Sequence, residues 1–323
     1  MSRIIDSIFN SWGNSLISKL HNLNTFFIEI NSTCNLNCQH CYIPQGSKNK
    51  ELPLEKIEEV LKQIKEEWGT SVGIALTGGE PLLHKSFGEI VEYLKKEGFG
   101  WSLATNGIFL NEDNIKKLKK LKCGAITISI DGDYDTHTKQ RGEKSQLDHL
   151  INNIKLLVSE GFYSIYITST IHNDNVKSLK FLGDLVLKFD KKVKWRINPL
   201  LHCENAVQNN LKISPKTYEK ICKFREDFLE KNKIDIMIGE KNPLSLKNKE
   251  YLYSDLDYCL AGITTFGVLA NGDIVNCMIC REKTLGNIYK DYSLVKIWEE
   301  QNLSRKGLCE KHLESKNSLW KVA

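Results

Sequence analysis

An α/β protein built on one parallel sheet is the fold class this sequence predicts, and three observations predict it. Six short apolar runs rich in β-branched and aromatic residues are separated by five amphipathic stretches of helical spacing. Run and stretch alternate, and consecutive βαβ units form a parallel sheet with right-handed crossovers. The unusual segments "CNLNCQHCY", "TGGEP", "TNG" and "DG" each fall just after one of the runs, and the functional end of such a sheet lies at the C-terminal edges of its strands.

Taken in order, residues 1–25 open with Ile4, Ile5, Ile8, Phe9, Trp12, Leu16 and Leu20 at helical spacing. This amphipathic helix is expected to pack on the main domain. A membrane-surface role is disfavoured by its two cations, Arg3 and Lys19, its Asp6 and its mid-helix Gly13. The strands are FFIEI (26–30), VGIALT (72–77), WSLAT (101–105), AITISI (125–130), SIYITSTI (164–171) and VKWRIN (193–198). The helices between them are expected at 54–68, 87–97, 112–121, 147–160 and 176–189. A mostly helical bridge follows over 201–258, and a last unit over 259–323.

Composition narrows the class further. With 323 residues, 41% of them hydrophobic and 26% charged, the chain can bury a core large enough for one domain plus an appendage. Ten cysteines spread over a long, Lys-rich sequence suit a reducing cytoplasm better than a disulfide scaffold. No apolar run approaches the roughly 20 residues of a membrane span. A net charge of +5, with lysines interleaved among glutamates, gives no argument for nucleic acid.

Three cysteines in one loop, Cys34, Cys38 and Cys41, pose the chemical question. Structural zinc takes four ligands, commonly as two CxxC pairs, whereas three thiolates can hold three corners of an iron-sulfur cubane and leave one iron open. With Gly78, Gly79, Glu80 and Pro81 behind the second strand, the loop resembles that of the radical S-adenosylmethionine enzymes. The resemblance implies a partial (β/α)6 TIM-like barrel over 26–200. It further implies a 4Fe-4S cluster whose free iron chelates S-adenosylmethionine, and reductive cleavage to a 5′-deoxyadenosyl radical that abstracts hydrogen from substrate. It places His40 near the adenine and the Gly78–Glu80 edge near the ligand's amino group. Asn106, Ser129 and Asp131 fall at its ribose and methionine contacts, and Arg141 at the ligand carboxylate. An electron donor such as flavodoxin or ferredoxin is implied as well.

The tail adds a second cysteine set. "FGVLANGDIVNC" is a hairpin signal around Asn271-Gly272, with Cys259 before it and Cys277 and Cys280 at its end. Together with "LGNI" and "IW", this resembles a truncated SPASM domain or its shorter twitch relative. Cys259, Cys277, Cys280 and Cys309 then suffice for one auxiliary 4Fe-4S cluster, or three bind it and one, Cys280 or Cys309, is spare. A four-thiolate zinc site fits the same residues. Cys123 and Cys222 read as buried and inert, and Cys203 faces the functional rim.

Three functions are carried forward. The first is oxidative modification of a ribosomally made peptide, a crosslink or thioether, with the auxiliary cluster as electron acceptor. The second is epimerisation, with Cys280 or Cys203 returning a hydrogen atom. The third, of another class, is an iron-sulfur electron carrier, against which the GGEP edge argues. With 25 residues before the first strand, a separate peptide-docking module is not expected there, and small molecules such as amino sugars stay open as substrates.

Overall fold

The computed structural model describes residues 23–201, 203–234, 236–239, 261–262, 264–279, 281 and 283–302. The amphipathic segment expected before Leu23 lies outside them, as do Cys259, Cys280 and Cys309. The expected strands and helices are present as β1 (Thr25–Asn31), α1 (Leu54–Trp68), β2 (Gly73–Gly78), α2 (Phe87–Glu97), β3 (Trp101–Thr105), α3 (Glu112–Lys120) and β4 (Cys123–Ser129). After them come α4 (Tyr134–Arg141), α5 (Leu147–Ser159), β5 (Ser164–Ile171), α6 (Leu179–Leu187) and β6 (Val193–Pro199).

Strands β1 to β6 pair in sequence order and in parallel. Their alternation divides the sheet cleanly. On β1 the residues Phe26, Ile28 and Ile30 are buried under helices, and on β6 the same holds for Val193, Trp195 and Ile197. The opposite, inner face carries Glu29 on β1, Thr77 on β2, Ser129 on β4, Thr168 on β5 and Arg196 on β6. An apolar outer face and a more polar inner face fit a partial barrel, which among the described residues does not close between β10 and β7.

Two features exceed the expected pattern. The bridge contributes α7 (Glu204–Gln208) and α8 (Pro215–Asn232) and then a seventh strand, β7 (Ile236–Ile238), parallel to β6. Ser214 starts α8 by accepting from Thr217 N at 3.2 Å, with Pro215 in the first turn. Helix α4 was absent from the periodic reading because it has no apolar stripe: it buries His137, Gln140 and Arg141. Its signal was the cap, where Asp133 Oδ1 accepts from Thr136 N at 3.0 Å.

The hairpin of the tail forms β8 (Thr265–Val268) and β9 (Asp273–Val275), followed by β10 (Thr284–Asn287) and α9 (Leu294–Asn302). Gly272 makes the turn with φ of +88°, a conformation that favours glycine. β8 does not stand apart. It pairs in parallel with β1, so the sheet runs β10-β9-β8-β1-β2-β3-β4-β5-β6-β7. Phe266 of β8 seals the join against Phe26 at 4.8 Å and Trp298 at 5.0 Å between ring centroids.

Candidate active site

Past Asn31 the chain enters the cysteine loop, held at its base by Ser32 N donating to Lys50 O at 2.8 Å and Leu52 N to Ile30 O at 2.9 Å. Cys34, Cys38 and Cys41 rise from it half-buried. Burial raises all three thiols, Cys38 up to about 12. Donors stand ready for the ionised form: Leu36 N lies 3.4 Å and Asn106 Nδ2 3.8 Å from Cys34 Sγ, and Arg141 Nη1 3.7 Å from Cys38 Sγ. Among the described residues no three His, Cys, Asp or Glu side chains converge tightly enough to hold a single ion. Three thiols on one loop, with these donors placed for their ionised form, fit three corners of an iron-sulfur cluster.

The edge after β2 locks onto this loop. Gly79 N donates to Asn31 O at 2.9 Å, Glu80 N to Thr33 O at 2.8 Å, and Asn31 Nδ2 to Glu80 O at 3.0 Å. A Cβ on Gly79 would stand 2.3 Å from Thr33 O and 2.8 Å from Ser32 O. The bare edge is expected to admit a ligand, and in the structure the cysteine loop also lies against Gly79 and leaves no space for a side chain. Glu80 is 0% exposed and accepts from Leu82 N at 3.2 Å, Thr105 Oγ1 at 2.8 Å and Asn106 N at 2.8 Å. No cation stands beside it among the described residues, and burial pushes its carboxyl up to about 7. Asn106 also donates from Nδ2 to Asn35 Oδ1 at 2.8 Å, tying the end of β3 to the cysteine loop.

Asp131, Arg141 and His40 form one cluster under the loop. Asp131 Oδ2 accepts from Arg141 Nε at 2.6 Å, its Oδ1 accepts from Thr170 N at 2.8 Å, and His40 Nε2 lies 3.3 Å from Oδ2. Burial alone would raise the Asp131 carboxyl, but the Arg141 guanidinium and His40 outweigh it and hold it well below the usual range. Burial pushes His40 down to about 4, so its ring is neutral near pH 7, and Gln140 Oε1 sits 3.1 Å from its Nδ1. Ser129, half-buried at the end of β4, shares the inner face with this cluster.

A clamp from the bridge was not legible in the sequence. Asn205 Nδ2 donates to Cys41 O and Ile43 O, both at 2.8 Å, and Asn209 Nδ2 to Gln39 O at 3.2 Å. Cys203 Sγ, at the start of α7, lies 3.4 Å from Cys41 O. Its rim position is as the topology predicts, and burial raises its thiol. Cys123 and Cys222 are buried, 6% and 1% exposed.

From the tail, Arg281 reaches the inner face of β1 and ion-pairs with Glu29, which is 1% exposed. Arg281 Nη1 donates to Glu29 Oε1 at 3.2 Å, Nη2 bonds Oε2, and Ala270 N donates to Oε1 at 3.3 Å. Burial lowers the arginine, but Glu29 outweighs it and raises it overall. The guanidinium lies 5.1 Å from the ring centroid of Tyr42, whose hydroxyl is 3.1 Å from Thr77 Oγ1. Of the tail cysteines only Cys277 is among the described residues. The group expected on Cys259, Cys280 and Cys309 therefore has no described geometry beyond its neighbours.

With that geometry in view, residues 28–185 match the Radical SAM superfamily, and residues 259–319 match SPASM, an iron-sulfur cluster-binding domain. The chain is 30% identical over 156 residues to Fe-coproporphyrin III synthase of Methanosarcina barkeri (strain Fusaro / DSM 804), a match covering 47% of this chain and 38% of that protein. It is 25% identical over 312 residues to the AdoMet-dependent heme synthase of the same organism, covering 87% of each. The sporulation killing factor maturation protein SkfB of Bacillus subtilis (strain 168) shares 30% identity over 148 residues, 46% of this chain and 36% of SkfB. Two of these three relatives are thus matched over less than half their length. Among solved structures, Streptococcus suis SuiB bound to precursor peptide SuiA superposes with a TM-score of 0.69 at 16% identity, covering 88% of this chain and 67% of SuiB.

Proposed function

Since this chain belongs to the radical SAM superfamily and carries a SPASM-type iron-sulfur domain, we propose that it oxidatively modifies a ribosomally made peptide, forming a crosslink or thioether. When bound, a reduced 4Fe-4S cluster and S-adenosylmethionine would supply one-electron cleavage of the sulfonium and hydrogen abstraction from substrate. Cys34, Cys38 and Cys41 would hold three of that cluster's irons. Glu80, buried with no cation beside it, would receive the ligand's ammonium, which removes the cost of its isolation. Asp131 already gives both oxygens to Arg141 and Thr170 N, so it would orient Arg141 toward the ligand carboxylate. Asn106 and Ser129 would line the nucleoside, and His40, neutral and half-buried, would pack beside it.

The observation that carries the oxidative reading is the docking of the tail onto β1, with Arg281 stacked on Tyr42. It brings Arg281 beside Tyr42, which supports a reading in which an auxiliary cluster held by the tail accepts the substrate's electron. In this reading 26–200 is the catalytic core, 201–258 the bridge and 259–323 the auxiliary domain, and a flavodoxin or ferredoxin in a reducing cytoplasm supplies the first electron. SuiB, solved with a precursor peptide, and SkfB, named a maturation protein, support a peptide substrate. Among the described residues no helix is long and apolar enough to cross a membrane.

Epimerisation is the second reading, favoured by one observation: the Cys203 thiol stands at the rim, is raised by burial and so keeps its hydrogen. The experiment begins with the anaerobically reconstituted, reduced protein. It should cleave S-adenosylmethionine to 5′-deoxyadenosine, and the Cys34→Ala, Cys38→Ala, Cys41→Ala triple variant should lose about one cluster's iron together with all cleavage. Retained cleavage in that variant removes the assignment of these residues. Single alanine variants of Cys259, Cys277, Cys280 and Cys309, assayed for iron, then show whether a thiol is spare. A product changed only by one solvent deuterium, and lost in Cys203→Ala or Cys280→Ala with iron intact, selects epimerisation over oxidation.

A further inference from the structure

The inner face of the barrel carries more positive charge than it answers. Among the described residues, the one carboxylate within the eight parallel strands is Glu29, which is ion-paired to Arg281. At the rim Asp131 is ion-paired to Arg141, while Glu80, the other buried carboxylate there, has no cation beside it among the described residues. On β6, Trp195 turns outward against Phe224 and Phe228 of α8, at 5.9 and 6.3 Å between centroids, so its neighbours Lys194 and Arg196 turn inward. Neither forms an ion pair among the described residues. Both lie over the ring of Tyr166 on β5, each 5.4 Å from its centroid.

The register places this charge relative to the rim. Ser129 of β4, Thr168 of β5, Arg196 of β6 and Met237 of β7 pair as one row across the sheet. The row above contains Thr170 and Asn198, with Asp131 reaching Thr170 N at 2.8 Å. Arg196 therefore lies two residues, about 7 Å, below the level at which Asp131 and Arg141 meet the cysteine loop. Asn198 Nδ2 donates to Thr168 Oγ1 at 3.0 Å and fixes the wall beside it. Gly239 makes room for both side chains, because a Cβ there would come within 2.2 Å of Asn198 Oδ1 and 3.0 Å of Arg196 Cδ.

We propose that Arg196, held over the ring of Tyr166 and flanked by Asn198, anchors a carboxylate of the substrate, so that the modified peptide presents an acidic side chain or its free C-terminus one layer below the reacting edge. Three physical points lead there. A guanidinium is a planar fork that matches a carboxylate with two parallel hydrogen bonds. The Tyr166 ring holds that guanidinium within 5.4 Å of its centroid before any ligand arrives, so less rotamer entropy remains to be lost on binding. A cation half-enclosed with no counter-ion is stabilised by a bound anion and by no neutral ligand to the same degree. Lys194, exposed two residues further from the rim, in the row of Thr127 and Tyr166, adds attraction at a distance rather than a contact. The peptide part of this inference rests on the function proposed above, while the anion part stands on the wall itself.

The test uses the full chain, anaerobically reconstituted and saturated with S-adenosylmethionine, and three dansyl pentapeptides of otherwise identical sequence. One has a central Glu and an amidated C-terminus, one a central Gln and an amidated C-terminus, and one a central Gln with a free carboxylate. Fluorescence anisotropy should show one or both acidic peptides binding about tenfold tighter than the neutral one, and which of them does so identifies the source of the carboxylate. In Arg196→Gln that preference should shrink to within about twofold, with iron content unchanged. If Arg196→Gln loses iron, Arg196→Lys, which keeps the charge but not the fork, should retain the clusters and lose several-fold of the preference. Equal binding of all three peptides overturns the peptide anchor, and an acidic preference that survives in Arg196→Gln places the anion elsewhere. Competition by glutarate but not glutaramide, with no discrimination among the peptides, keeps the anion anchor and removes the peptide reading.

Discussion

Arg281 stacks on Tyr42 with its guanidinium carbon 5.1 Å from the ring centroid, which joins the residue after Cys280 to the residue after Cys41. The same guanidinium neutralises Glu29, which is 1% exposed on the inner face of β1. Removing one partner of a buried pair strands the other charge, so Arg281→Met should destabilise the protein by about 3–5 kcal/mol. The double variant Glu29→Leu, Arg281→Met should recover most of that loss, and Arg281→Lys part of it. Chemical denaturation of the metal-free protein reads all three, and a single variant as stable as wild type would show that Glu29 finds water instead.

Gly79 supplies a sharper test of the loop. Its missing Cβ would stand 2.3 Å from Thr33 O, so Gly79→Ala should displace the cysteine loop and lower iron incorporation as well as S-adenosylmethionine binding. Iron per chain after reconstitution decides this. A full iron complement with ligand binding lost would return Gly79 to the role of a ligand cradle alone.

Asn205 closes the loop from the other side. Asn205→Ala leaves the carbonyls of Cys41 and Ile43 without its two 2.8 Å hydrogen bonds in a buried setting, a cost of about 1–3 kcal/mol. The loop should then release its metal faster. Iron transfer to a chelator, timed in wild type and variant, should accelerate several-fold, with the overall fold unchanged by circular dichroism.

The Glu80 carboxyl links folding to pH. Its folded value of about 7 lies above the ordinary 4.5, so the folded state binds the proton more tightly than the unfolded chain does. Stability of the ligand-free protein should therefore be highest below pH 4.5 as far as this group is concerned, and fall as pH rises through 7. At about 1.4 kcal/mol per pH unit the ceiling is about 3 kcal/mol. Melting curves at pH 5 and pH 8 should show this slope in wild type and lose it in Glu80→Gln. S-adenosylmethionine, by placing an ammonium beside Glu80, should stabilise the protein more at pH 8 than at pH 5.

What the sequence reveals of this site is what repeats locally. Strands of β-branched residues, the CxxxCxxC loop and the turn glycines depend on neighbours a few positions away, and they stand where the pattern placed them. Helix α4 escaped because periodicity detects apolar stripes, and α4 buries His137, Gln140 and Arg141 instead. Asn205 and Arg281 escaped for a different reason. Their partners lie 164 and 252 positions away, and a hydrogen bond across such a distance leaves no spacing to read. For Gly79 the residue was legible but its reason was not, since close approach to a ligand and close approach to a backbone call for the same missing side chain.

The parallel pairing of β1 with β8 also has a meaning for the growing polypeptide. Glu29 and Ala270, hydrogen-bonded in the finished protein, are 241 positions apart, so the first strand leaves the ribosome long before its outer neighbour exists. Until then β1 is an open edge with a lone acid facing inward, a surface prone to pairing with the wrong chain. Closure must wait until β8 and Arg281 have been synthesised, and one late event then seals the edge and neutralises the acid together. A chain that ends before the hairpin should therefore aggregate more readily than one that includes it.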